Sequence, residues 1–326
     1  MSRLPRRALL GALLAAPALG PALAQPEPWP NRPPRLVIPF PPGGSVDVVG
    51  RLLVERLSPL LGQPVMVDNR PGGATAIGAV QVARAPADGY TLLYGTPATQ
   101  MVNPSLMRSL PYDPRRDFAA IVSIMRAPNL LAVHPSLGVK DVAGLIALAK
   151  QRPGTLSYAS NGIGTSNHLS GEMLKSMAGI DLLHVPHRGF AAYAGDLLAG
   201  RIAMAFGTIS DMLPHTRSGA LVALAVTSAQ RTPLLPEIPA IAETVPGYDA
   251  VAFNYIAGPA GLPPAVLARL NAAFNQVLTE PEVVQRMAET GVEAISGTTP
   301  EQTEATIRRE AARWKQVIEA AGIRPE

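Results

Sequence analysis

Short apolar or β-branched runs alternate along the chain with longer stretches of helical period. Arg35 to Pro39, Val65 to Asp68, Thr91 to Gly95, Leu130 to Val133, Leu156 to Ser160, Leu183 to Pro186, Ile202 to Phe206 and Leu221 to Thr227 have the length and residue types of strands. Between them, Val49, Leu53, Leu57 and Leu60 form one helical stripe. Leu169, Met173 and Met177 form another that stops at Gly179. The alternation predicts α/β layers with largely parallel sheets. The C-terminal portion departs from it, because Val266, Leu270, Phe274 and Val277 mark a helix with no strand run behind it. The last helix carries its own start signal: Thr299 at the N-cap, Pro300 at the first position and Gln302 at the third form a capping box. Ile307, Ala311, Trp314, Ile318 and Ala321 line one face of it. No repeat or low-complexity linker intervenes, which suits two lobes joined by crossing strands better than two tethered domains.

Residues 1–24 stand apart from this pattern. Arg3, Arg6 and Arg7 precede a run of small apolar residues from Ala8 to Gly20, and Ala22-Leu23-Ala24 has the small-x-small form of a signal-peptidase site. Gly11, Pro17, Gly20 and Pro21 break the run too often for a membrane span. A cleaved leader and export are expected, with Sec and Tat routes both open given Arg6-Arg7. Three of the 28 basic residues leave with that leader, so 25 remain against 24 acidic ones and the mature net charge is +1. A nearly neutral body with scattered basic side chains argues against nucleic-acid binding. The length of 326 residues allows two cores, and 47% apolar residues exclude global disorder. The absence of cysteine excludes disulfides, thiolate metal sites, iron–sulfur clusters, a cysteine nucleophile and a lipidated N-terminal cysteine.

The informative chemistry lies in two glycine-rich turns between a strand and a helix. In Ile38-Pro39-Phe40-Pro41-Pro42-Gly43-Gly44-Ser45-Val46-Asp47 a strand ends, prolines stiffen the exit and glycines let a ligand approach the backbone. The helix that follows presents unpartnered amides at its positive end, a candidate anion cradle. Ser160-Asn161-Gly162-Ile163-Gly164-Thr165-Ser166-Asn167-His168 repeats the arrangement with Thr165 as N-cap. Facing one cleft, the two turns would hold a carboxylate from both sides. Sharper motifs fail. Gly73 and Gly78 have phosphate-loop spacing, but Ala79 replaces the lysine, and no Gly-x-Gly-x-x-Gly is present. Ser166 and His168 lack a Gly-x-Ser-x-Gly elbow, and His168, His184 and His187 lack further ligands at metal spacing. No cofactor or metal is expected.

An ordered series of segments resembles the substrate-binding receptors of tripartite tricarboxylate transporters, also called Bug receptors. It opens with Asn31-Arg32-Pro33 and Val37 to Ser45, with Asp47 and Arg51. It continues through Asp68-Asn69-Arg70-Pro71-Gly72, Ala87-Asp88-Gly89-Tyr90-Thr91-Leu92, His134-Pro135-Ser136, His168-Leu169 and His184-Val185-Pro186. Ala225-Val226-Thr227-Ser228, Arg231 and Leu235-Pro236-Glu237-Ile238-Pro239 complete it.

The resemblance implies a monomeric periplasmic binding protein of the two-lobe α/β type (type II), each lobe a mainly parallel sheet flanked by helices, with the ligand cleft between them. Lobe one would comprise residues 25–124 and 247–326, and lobe two residues 125–246. Such a receptor is not an enzyme; it takes a small organic acid or amino acid by its carboxylate and delivers it to a membrane permease. By the same likeness, Phe40, Pro42, Gly43, Gly44, Ser45 and Asp47 supply one wall, with Thr96 and Pro97 beside it. Ser160, Asn161, Gly162, Gly164, Thr165 and His168 supply the other. Two departures add His187, where the family has tyrosine, and Thr208, near a position where it commonly has an acidic residue. They favour a plain mono- or dicarboxylate over an amino acid, whose ammonium would want an acidic partner. The alternatives are a hydrolytic enzyme on an α/β scaffold, or a ligand sensor with no transport role.

Overall fold

The computed structural model describes residues 29–323, and the expected leader lies outside the described residues. The chain first forms β1 (Arg35–Ile38), α1 (Ser45–Leu61), β2 (Met66–Asn69), α2 (Ala76–Ala83), β3 (Thr91–Gly95) and α3 (Asn103–Leu106). The long strand β4 (Phe118–Val133) leads to α4 (Val142–Gln151), β5 (Ser157–Ser160), α5 (Ser166–Ala178) and β6 (Leu183–Pro186). Then come α6 (Ala194–Leu198), β7 (Met204–Thr208), α7 (Ile209–Arg217) and β8 (Val222–Val226). The chain returns through β9 (Val251–Pro259), α8 (Pro264–Val277), α9 (Pro281–Glu289), β10 (Glu293–Ala294) and α10 (Pro300–Ala320).

Helix limits follow local chemistry. Asp141, Thr165, Thr208 and Thr299 begin α4, α5, α7 and α10, each side chain accepting from the amide three residues on. The Thr299–Gln302 capping box forms as expected. Gly62 and Gly179 end α1 and α5 in the left-handed region, at φ of 73° and 62°.

Strand pairing falls into two groups. One has the order β2-β1-β3-β9-β4 with β10 on β4, and the other has the order β6-β5-β7-β4-β8. Strand β4 belongs to both, since Phe118 to Pro128 pair with β9 while Asn129 to Val133 pair with β7 and β8. Outer strands β1–β3 and β5–β7 are parallel within their groups, as the α/β alternation predicts. The central pairs made by β4 and β9 are antiparallel, so each group is mixed rather than largely parallel. One strand leaves the first group and the other returns to it, so they must run in opposite senses.

On one face of the first group, Val49, Leu53 and Leu57 of α1 pack with Val266, Leu270, Phe274 and Val277 of α8 over Leu36, Ile38 and Leu92. The other face opens into a core common to both groups. Trp314 and Ile318 of α10, Leu169 and Met173 of α5, and Leu131, Phe206 and Tyr255 belong to this single cluster. Met177, the expected end of the α5 stripe, is 42% exposed, because the helix stops at the next residue. Helix α10 thus binds the two groups together, and its Arg313 reaches Asp249 at 3.0 Å. Tyr248 adds a bond to the carbonyl of Ser170 in α5, at 2.8 Å.

Candidate functional site

Between the two strand groups lies a cleft of about 1440 Å³. Met125, Ala127, Pro128 and Asn129 of β4 and Ala252 and Asn254 of β9 form its floor. Asn129 is fixed on three sides. Its amide donates to Thr227 Oγ1 (2.8 Å), its Nδ2 to Ser170 Oγ (3.2 Å), and its Oδ1 accepts from Asn167 Nδ2 (2.9 Å).

The first wall is the turn between β1 and α1. Asp47 lies behind it, 3% exposed, accepting from the Gly43 amide, Arg51 Nε and Asn69 Nδ2, each at 2.9 Å. Asn69 also donates to the carbonyl of Phe40 at 3.1 Å. Burial pushes the Asp47 carboxyl up, but Arg51, Gly43 and Asn69 together hold it below its ordinary value. These bonds tie the turn down and consume the Gly43 amide. Helix α1 has no side-chain cap, and the amides of Gly44, Ser45 and Val46 have no acceptor among the described residues.

The second wall, between β5 and α5, spends more of its amides internally. Gly162 donates to Ser160 Oγ (3.2 Å), Gly164 to His168 Nδ1 (3.1 Å), and the Thr165 hydroxyl to the carbonyl of Gly162 (2.7 Å). Ser160 Oγ in turn meets His184 Nε2 at 2.7 Å. His168 and His184 stack with ring centroids 4.0 Å apart. Burial lowers both imidazoles to about 4, helped by Lys175 for the first and by His168 for the second. Both are therefore neutral near pH 7, and the 4.0 Å approach of His168 Nε2 to Glu172 is no ion pair. Glu172 is satisfied by the Tyr158 hydroxyl (2.6 Å) and Lys175 (3.1 Å).

A third stretch, between β2 and α2, also reaches the cleft. Ala74 (φ 48°) and Thr75 (φ 78°) line it in the left-handed region, costly for residues with a Cβ, and Asn103 Nδ2 secures the carbonyl of Ala74 at 2.6 Å. At the rims the walls touch. A Cβ on Gly164 would come within 2.7 Å of Leu106, and one on Gly291 within 3.0 Å of the Ser210 amide. On the hinge side, Thr232 donates to Glu293 at 2.5 Å.

A sequence model described as the tripartite tricarboxylate transporter family receptor matches residues 49–323. The chain belongs to this receptor family. It is 34% identical over 319 residues to BugT of Bordetella pertussis, covering 97% of each chain. Among solved structures it resembles Rpa4515 of R. palustris, determined with adipate. The identity is 38% and the TM-score 0.79, over 91% of this chain and 100% of that one. It also resembles MatC of Rhodopseudomonas palustris with bound malate, at 27% identity and TM-score 0.74, over 89% and 100%. The family expected from the sequence is therefore the one found.

Within this receptor, Phe40, Pro42, Gly43, Gly44, Ser45, Thr96, Pro97, Asn161, Gly164, Thr165 and Thr208 all line the cleft. Asp47, Ser160, Gly162, His168 and His187 do not. The first four brace the turns from behind, whereas His187 donates its amide to the carbonyl of Ser160 (3.1 Å) and turns its ring toward Tyr193. The next residue, Arg188, is the only basic residue among the described residues that line the cleft. Arg188, the Ala74–Thr75 stretch, the floor from β4 and β9, and Met107, Ile163, Ser166 and Phe190 line the cleft without having been expected from the sequence. A Ser–His pair exists at Ser160 and His184, but Ser160 is fully buried and so cannot serve as a nucleophile. Among the described residues, no cluster of three metal-ligating side chains occurs and no helix is long and apolar enough to cross a membrane.

Proposed function

We propose that this receptor is periplasmic, captures a small carboxylate by closing its lobes on it, and delivers it to the permease of a tripartite tricarboxylate-type transporter. The observation that carries this reading is the bare start of α1: an uncapped helix, its free amides open to the cleft, opposite a wall that bears Asn161, Ser166 and Arg188. Family membership and the carboxylates held by Rpa4515 and MatC support it. Lobe one comprises residues 25–124 and 247–326 with lobe two between them, and the switch of β4 pairing at Pro128–Asn129, four residues on, supports a crossing in this region. The ligand sits against Phe40, Pro42, Gly43, Gly44, Ser45, Thr96 and Pro97 on one side and Asn161, Gly164, Thr165 and Thr208 on the other. The mature chain begins at or near Gln25 and acts as a monomer.

A thermal-shift screen over small carboxylates tests the reading. Saturation at one hundred times Kd adds about 2.7 kcal/mol, a rise of several degrees in Tm. Small-angle scattering should then show a smaller radius of gyration with ligand. No stabilisation by any carboxylate would sink the proposal.

A further inference from the structure

Several polar side chains of the cleft are left open. The side chains of Ser45, Thr96, Asn161, Ser166 and Arg188 line it without a protein partner among the described residues, and Thr96, only 4% exposed, keeps a buried hydroxyl unpaired. They stand at the starts of α1 and α5, just past β3, and beside the second turn. Several other polar lining groups are already engaged: Asn103 with Ala74, Asn167 with Asn129, and Thr208 with Ser210 at 3.2 Å.

Apolar side chains share these walls. Phe40, Leu106 and Met107 come from lobe one, Ile163 and Phe190 from lobe two, and Val292 from the rim. Ile163 is 52% exposed at the tip of a turn whose neighbouring residues are hydrogen-bonded in place. A rigidly held apolar side chain facing a concave site marks where an apolar part of the ligand rests. Charge points the same way: Arg188 is the one base in the lining, against the acids Asp211 and Glu289. One anionic group is matched there, whereas each further carboxylate enters a lining whose other charges repel it.

We infer that the ligand is a carboxylate with a single anionic end and an apolar body, aliphatic or aromatic, rather than a hydroxylated di- or tricarboxylate. This rests on the receptor reading above. The acid meets the start of α1 and Arg188, and the body lies against Phe40, Met107, Ile163 and Phe190.

Calorimetry on the mature chain with butanoate, hexanoate, octanoate and benzoate, and with malate and citrate, tests it. Affinity should rise about fourfold per methylene until the cleft is filled, and malate and citrate should bind at least tenfold more weakly than hexanoate. Met107→Gln and Phe190→Ser should each flatten the chain-length dependence, while Arg188→Gln should weaken every acid by a similar factor. A chain-length profile that is flat, or citrate or malate binding tighter than hexanoate, overturns this inference and leaves the receptor reading standing. Failure of every acid in both series overturns the receptor reading, and this inference with it.

Discussion

Mild acid should loosen the second turn of the cleft through one imidazole. His168, 4% exposed, uses a neutral Nδ1 to accept the Gly164 amide at 3.1 Å. Burial first, and the charge of Lys175 second, lower its pKa to about 4. In the unfolded chain the same group titrates near 6.5, so the unfolded state takes up the proton first. The stability this histidine contributes is therefore complete above pH 6.5 and is lost as pH falls toward 4. Between pH 7 and pH 5 linkage puts the loss at about 2 kcal/mol, and for a chain of this size that lowers Tm by roughly 4–8 °C. His184, stacked on it and also lowered to about 4, adds a coupled share of similar sign. Melting curves followed by circular dichroism from pH 7.5 to 4.5 should be compared for the parent and His168→Gln, which keeps an amide in place of the ring but cannot titrate. Carboxylates such as Asp47 contribute equally to both and cancel in the difference. The variant should lose clearly less Tm on acidification, and its ligand affinity should fall less over the same range. Equal losses of Tm in parent and variant would refute the assigned role.

Gly44→Val should abolish ligand binding at every pH while leaving the fold intact, because nothing lies within 4 Å of a Cβ at that position and the new side chain fills the space beside the free amides; calorimetry checks it. Asp47→Asn should cost about 1–3 kcal/mol of stability, read by denaturant titration, since it weakens a buried acceptor of three hydrogen bonds. His187→Tyr should leave the ligand ranking and its pH profile unchanged in a binding screen, because the ring faces Tyr193 and not the cleft. Trp314→Ala, emptying a site 1% exposed in the core common to both lobes, should cost about 3–5 kcal/mol in the same titration.

The strands that form single-layer punctuation between helices were legible in the sequence, and β1, β3 and β6 lie where their apolar runs place them. The crossing strands were legible only in part: Leu130 to Val133 is the expected end of β4, but the rest of β4 and all of β9 were not expected. Strand β9 interrupts its apolar run with Asn254, and β4 carries Ser123, Arg126, Pro128 and Asn129, so neither shows a clean alternation. Those polar residues are tolerated because Asn254 meets Tyr94, Ser123 meets Thr303 and Asn129 meets α5, partners far away in sequence. Both glycine turns were visible, since glycine and proline act locally. Which polar residue lines the cleft was less visible. Asp47 and His168 have the chemistry of ligand contacts, yet each bonds back into its own turn. His187 lies one position from the cleft lining: backbone pairing continues past Pro186, so side chains still alternate and Arg188 takes the cleft side. The left-handed backbone at Ala74 and Thr75 continues past Gly72 and Gly73, where glycine ends but positive φ does not.

The place of β9 between β3 and β4 also sets an order of assembly. As the chain is synthesised, β3 and β4 cannot be joined into one sheet, because the strand that lies between them is made only after all of β5 to β8. The edge of β3 stays open until Pro259 has appeared, and the core beneath both lobes stays incomplete until α10 follows. The second sheet, by contrast, draws every strand from one unbroken stretch. A half-receptor cut from the N-terminal residues alone therefore lacks the centre of its own sheet, whereas a fusion joining β4 at Pro128 directly to β9 at Val251 would restore it.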